Sequence, residues 1–148
     1  MLRQVQHEAL HLSTEERLVL DWSGMSCQTR AMIEITQEFT FDAAHRLDAG
    51  APENRRIHGH SFYAEVTLRG EPDSTTGMLR EFGAVKEVLG AIAGALDHRL
   101  LNEIADLGSP TLENITRWIF ESARARLPEV VRVRVRRPSY GESCTYEE

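Results

Sequence analysis

From His58 to Leu68 the chain keeps a period of two through His58, His60, Phe62, Ala64, Val66 and Leu68. Side chains alternate across a strand, so all six share one face, and a face this apolar has to be covered by another layer. Upstream, Ile33, Ile35, Phe39 and Phe41 fall at even steps and predict a strand ending near His45. Residues 47–56 carry Gly50, Pro52 and Asn54 and read as a loop, and residues 70–74 as a turn. Phe82, Val85, Leu89, Ile92 and Leu96 then follow helical spacing. Ser109-Pro110 predicts the start of a second helix: a capping hydroxyl, then proline where its missing N–H costs nothing. Leu112, Ile115, Trp118 and Ile119 would form its buried face. Val131, Val133 and Val135, alternating with Arg132, Arg134 and Arg136, predict a third strand, and a short fourth is expected near Cys144 to Tyr146. The order strand, strand, helix, helix, strand, strand points to an α+β fold: an antiparallel four-stranded sheet with two helices packed on one face.

A chain of 148 residues suits one domain with a real core. With 41% hydrophobic and 27% charged residues and a formal net charge of -6, it has the make-up of an ordinary soluble protein. The acidic balance and the absence of a basic stripe argue against nucleic-acid or membrane partners. No apolar run approaches the roughly 20 residues that a membrane span needs. The start lacks the pattern of a secretory signal, and two cysteines, Cys27 and Cys144, are too few for a disulfide scaffold; a reduced, cytoplasmic setting is expected. Residues 1–31 look unlike the rest. A short helix could begin at Glu15, capped by Ser13 with Glu16 in the capping-box position, and Met25 and Met32 are alternative starts.

Three histidines carry the chemistry. His58 and His60 point the same way, and His45, at the end of the first strand, could complete a site of three neutral imidazoles with an open fourth position, the arrangement of a catalytic zinc. The bland alternative is a surface His-x-His on a strand. Asp97-His98 could form a proton-transfer pair, since a carboxylate fixes the tautomer of an imidazole and raises its basicity. Adjacent residues on a helix do not face each other, however, so a frayed helix end is the competing reading. Glu113 in Pro110-Thr111-Leu112-Glu113-Asn114 either favours a helix N-terminus or binds a ligand's N–H groups. His7-Glu8-Ala9-Leu10-His11 matches the zinc-protease pattern, but a solvated helical turn explains it better. Arg55, Arg56, Lys86 and Arg99 could contact phosphates or be ordinary solvated charges.

Taken together, Phe41-Asp42-Ala43-Ala44-His45-Arg46-Leu47, His58-Gly59-His60 with Tyr63, Gly77-Met78 with Glu81-Phe82, Lys86, Leu96-Asp97-His98 with Leu101-Asn102, and Pro110-Thr111-Leu112-Glu113-Asn114 with Trp118-Ile119 resemble the 6-pyruvoyl-tetrahydropterin synthase family, in particular its bacterial 6-carboxytetrahydropterin synthase branch. The resemblance runs in order from Met32 to about Leu127. It implies a tunnelling fold over residues 32–148, with residues 1–31 a poorly ordered N-terminal extension. It implies subunits that close into an oligomeric β-barrel, a homohexamer with active sites between subunits. It implies Zn2+ held by His45, His58 and His60, a catalytic relay of Asp97 and His98, and a pterin pocket lined by Thr111 and Glu113. The expected activity is a carbon–carbon lyase reaction on 7,8-dihydroneopterin triphosphate, giving 6-carboxy-tetrahydropterin for queuosine and 7-deazaguanine synthesis.

Two positions depart from the family pattern. Asn54 stands where the family has its catalytic cysteine, and an amide cannot act as a base. Glu53 is adjacent, and some members use a glutamate near this point for another pterin product; Cys144 and Cys27 are remoter candidates. Arg137-Pro138 falls where the family's pterin-anchoring Glu-Thr lies, and a guanidinium donates only. Glu142 lies a few residues on and could substitute if the strand is displaced. These departures leave two alternatives open: a paralogue that cleaves dihydroneopterin or its triphosphate to 6-hydroxymethyl-dihydropterin for folate, or a non-catalytic zinc- and pterin-binding member.

Overall fold

The computed structural model describes residues 31–148. The His7–His11 motif, the helix expected from Glu15 and Cys27 lie outside the described residues. Strands β1 (Ile33–His45) and β2 (His58–Gly70) are followed by helices α1 (Phe82–Leu96) and α2 (Leu112–Arg124), then by strands β3 (Val130–Arg137) and β4 (Glu142–Glu147). The strands form one sheet in the order β1-β2-β3-β4, with every neighbouring pair antiparallel. This is the expected four-stranded sheet with its two helices. Phe41, Phe62, Ala64, Val66 and Leu68 meet Val85, Leu89, Ile92 and Leu96 of α1 and Ile115, Ile119 and Phe120 of α2 in one core. Phe41 and Phe62 stack at 4.8 Å between ring centroids, just below the histidines on the same face.

The structure departs from the sequence expectations in five places. Phe82, expected in the core, is 51% exposed, and Val88 is buried instead. Glu81 caps α1, its carboxylate accepting from the N–H groups of Gly83 and Ala84. On α2 the buried side is Ile115, Thr116, Ile119, Phe120 and Ala123, with Leu112 and Trp118 at its margin. The cap of α2 is Thr111, not Ser109: its hydroxyl accepts from the Asn114 N–H at 3.3 Å, and the Pro110 carbonyl is turned to His45 rather than into the helix. In β3, Val130 is buried in place of Val131. The register slips between Thr67 and Leu68, which face Arg132 and Val130, so Val131 is the extra residue of a bulge. The expected loop at 47–56 contains a short 3-10 turn, Pro52–Arg55.

Among the described residues no helix is long and apolar enough to cross a membrane.

Candidate metal centre and relay pair

The β1–β2 register sets His45 directly opposite His58 and Ala43 opposite His60. All three imidazoles therefore project from one end of the helix-covered face, and their ligand-capable nitrogens lie within 4.8 Å of one another. Gly59 between the two β2 ligands faces the other way. A Cβ there would come within 3.3 Å of the Ala43 carbonyl oxygen, so a side chain would push β2 off β1 where the triad needs them close.

Each ring is oriented by its own partner. His45 is buried, and its Nδ1 donates to the Pro110 carbonyl at 2.7 Å. That bond places the proton on Nδ1 and leaves Nε2 with a lone pair, and this Nε2 is buried with no hydrogen-bond partner. His58 Nδ1 donates in the same way to the Arg56 carbonyl at 2.8 Å. Burial holds the pKa of His45 below the usual imidazole value. Burial, then the Arg137 guanidinium, pulls that of His60 down to about 4. Both rings are thus neutral at physiological pH, as ligation requires. A buried acceptor with nothing to accept, beside two further imidazoles, fits a zinc-type cation.

The space in front of His58 and His60 is lined by Glu53, Asn54, Arg137, Tyr140 and Glu142. Glu53 and Asn54 reach it on the 3-10 turn, which is fastened by the Leu47 N–H to the Asn54 carbonyl at 2.7 Å. Arg137 and Glu142 reach it from the β3–β4 turn, where they face each other in register and form an ion pair. Cys144 lies along β4 opposite Val135 and does not line this space. Glu113, in the first turn of α2, has its pKa lowered by its own backbone N–H, then by the Thr111 hydroxyl, with a contribution from the charge of Arg137.

The Asp97-His98 pair is not on the helix. Helix α1 ends at Leu96, Asp97 is extended, and His98 takes the left-handed conformation with φ 57. This turn lets the two adjacent side chains meet, His98 Nδ1 lying 2.9 Å from Asp97 Oδ2. The Asp42 N–H bonds to the other Asp97 oxygen at 2.9 Å; that bond first, then His98, holds the carboxyl below the usual carboxylate range. Residues 97–100 are laced along the outer edge of β1: His98 N–H to the Asp42 carbonyl at 2.7 Å and Ala44 N–H to the Arg99 carbonyl at 2.9 Å. Asn102 extends the lacing by accepting from the Arg46 N–H and donating to the Arg46 carbonyl. Replacing Asn102 by alanine removes both bonds. A loss of about 1 kcal/mol in unfolding free energy is expected, with faster amide exchange at Arg46 as the local readout.

His98 opens onto a shallow depression whose lining includes Asp42, Ala43, Gly59, Arg99, Leu100 and the triad's own His60. The structure brings the three histidines together and joins Asp97 to His98, and His60 lines the same depression as His98. Of the basic residues considered from sequence, Arg99 lies beside His98, while Arg137, which the sequence marked only as a misfit, lies at the triad.

This sheet, helix pair and histidine cluster define a pterin-synthase type of domain. The family model described as 6-pyruvoyl tetrahydropterin synthase matches residues 34–148, and the chain belongs to that family. It is 41% identical over 91 residues to the 6-carboxy-5,6,7,8-tetrahydropterin synthase of Synechocystis, covering 58% of this chain and 70% of that protein. It is 40% identical over 95 residues to the dihydroneopterin monophosphate aldolase of Pyrococcus furiosus, covering 64% of this chain and 78% of that one. The solved 6-pyruvoyl tetrahydropterin synthase of Caenorhabditis elegans superposes with a TM-score of 0.69 at 24% identity, over 80% of this chain and 96% of that one.

Proposed function

We propose that this chain is a zinc-dependent, 6-carboxytetrahydropterin synthase-like lyase, acting on 7,8-dihydroneopterin triphosphate in the cytoplasm as a homohexamer and serving queuosine and 7-deazaguanine synthesis. The observation that carries the reading is the triad: three oriented imidazoles with ligand atoms within 4.8 Å, one of them a buried Nε2 without a partner, in a chain of this family. A zinc ion held by His45, His58 and His60 would polarise the substrate's side-chain oxygens. The chain's own residues divide the remaining work. Pro110 and Arg56 hold His45 and His58 in the ligating tautomer through their carbonyls. Thr111 and Glu113, at the start of α2 directly after Pro110, are the proposed pterin-binding pair, with Glu113 accepting from pterin N–H groups. Asp97 orients His98 through its contact with Nδ1, so that His98 can pass a proton at Nε2. We take this pair to act with the triad in the assembled oligomer, as the family resemblance implies.

The second reading is the paralogue that releases 6-hydroxymethyl-dihydropterin for folate. It is favoured by Glu53, which lines the space before the triad while the adjacent Asn54 occupies the family's cysteine position. A relative named as an aldolase is consistent with it. The test is to incubate the zinc-loaded protein with 7,8-dihydroneopterin triphosphate and identify the pterin by mass spectrometry. The carboxy product supports the first reading and hydroxymethyl-dihydropterin the second. Tight pterin binding without turnover would make the chain a non-catalytic binder.

The family match begins at residue 34, and we take residues 1–31 as an extension to the domain. Deleting them is expected to leave oligomer size and turnover unchanged. A truncated protein that sediments as a monomer would make the segment part of the assembly.

A further inference from the structure

We infer that Arg137 is a phosphate receptor built into the metal-facing pocket, selecting a ligand whose side chain carries an oxyanion; the inference rests on the metal-binding reading of the triad. Three observations lead to it. The guanidinium is held on two sides, by the ion pair with Glu142 and by the Tyr140 ring, whose centroid is 5.7 Å from Cζ. It is only 18% exposed, so its position is fixed before any ligand arrives. Its Nη1 lies 3.1 Å from Nε2 of His60.

The third observation is decisive. A neutral imidazole has one lone pair, which can serve the guanidinium or a cation but not both. Loading the triad through His60 Nε2 therefore strips an Arg137 N–H of its acceptor, inside a partly enclosed site. The same event sets a dication beside a guanidinium. A single group answers both demands: an anionic oxygen on the bound molecule, close enough to accept from Arg137 and to share the field of the metal. Glu142 occupies Nη2 and leaves the Nη1 side open to this group. Arginine at the place where the family carries an acceptor thus changes what the pocket reads, from the N–H edge of a pterin to a phosphate.

The test uses the zinc-loaded, full-length oligomer and inorganic phosphate as the probe, measured by calorimetric titration. Saturable binding to the wild type is expected, weakened about 10-fold or more in Arg137→Gln and less in Arg137→Lys, which keeps the charge but loses the fork. Zinc content, measured on the same samples, is expected to stay constant. Equal phosphate affinity in wild type and Arg137→Gln overturns the inference, as does a wild type that binds no phosphate. Loss of zinc from Arg137→Gln also overturns it, because the guanidinium would then be a support for His60. Since the probe contains no pterin, a protein that binds phosphate through Arg137 but turns over no dihydroneopterin triphosphate would sink the proposed function and leave this inference standing.

Discussion

His58→Ala is expected to lose bound zinc and turnover together. Two imidazoles and solvent make a poor zinc site, so the affinity should fall by orders of magnitude and activity should drop to background. His58 is the best of the three ligands for this experiment. His45 is buried, and its removal would leave the Pro110 carbonyl at the start of α2 without its donor, which confuses a metal effect with a folding one. His60 is tied to Arg137, so its loss would also leave that guanidinium without one of its partners. His58 is half-buried, begins β2, and binds only the nearby Arg56 carbonyl. Its truncation should leave the thermal transition of the metal-free protein almost unmoved. Metal analysis and the product assay on the same preparation decide the matter: a His58→Ala protein with full zinc would show that the triad is not the metal site, and one with full activity and no zinc would remove the metal from the reaction.

The triad was partly legible in the sequence because strand geometry is simple. A period of two puts His58 and His60 on one face, and the apolar residues at 62, 64, 66 and 68 show that this face is the one the helices cover. What the sequence could not supply was the register, which sets His45 against His58 and not one residue to either side. The Asp97-His98 contact was hidden for a different reason. On a helix the two side chains diverge; they meet because His98 adopts φ 57, held there by its N–H bond to the Asp42 carbonyl on a distant strand. The buried Val130 was missed because a bulge depends on two strands, and alternation within one strand points to Val131. Arg137 was visible as a departure from the family pattern. Its meaning depends on the β3–β4 turn, which pairs it with Glu142 and carries both to the histidines.

Substitutions at residues 53 and 54 are expected to show which group removes the substrate's proton. Both side chains line the space before His58 and His60, and both are carried on a turn fixed through its backbone, by the Leu47 N–H and by the Asn54 N–H bond to the Ala51 carbonyl. Either can therefore be exchanged without moving the chain. Glu53→Gln keeps size and hydrogen bonding but cannot take a proton, so turnover should fall by about 100- to 10,000-fold with zinc content unchanged. On the proposed reading, Asn54→Cys puts a thiol where the family's cysteine is expected, and a cation held by the triad would favour its thiolate. It is expected to create or increase formation of the carboxy product. The two variants separate the two readings. If the wild-type product is hydroxymethyl-dihydropterin, loss on Glu53→Gln and a switch of product on Asn54→Cys would mean that one side chain in this turn decides which bond breaks. If Glu53→Gln turns over at the wild-type rate, the base is not on this turn. His98 then becomes the group to test, through Asp97→Asn, which removes the carboxylate that orients the ring.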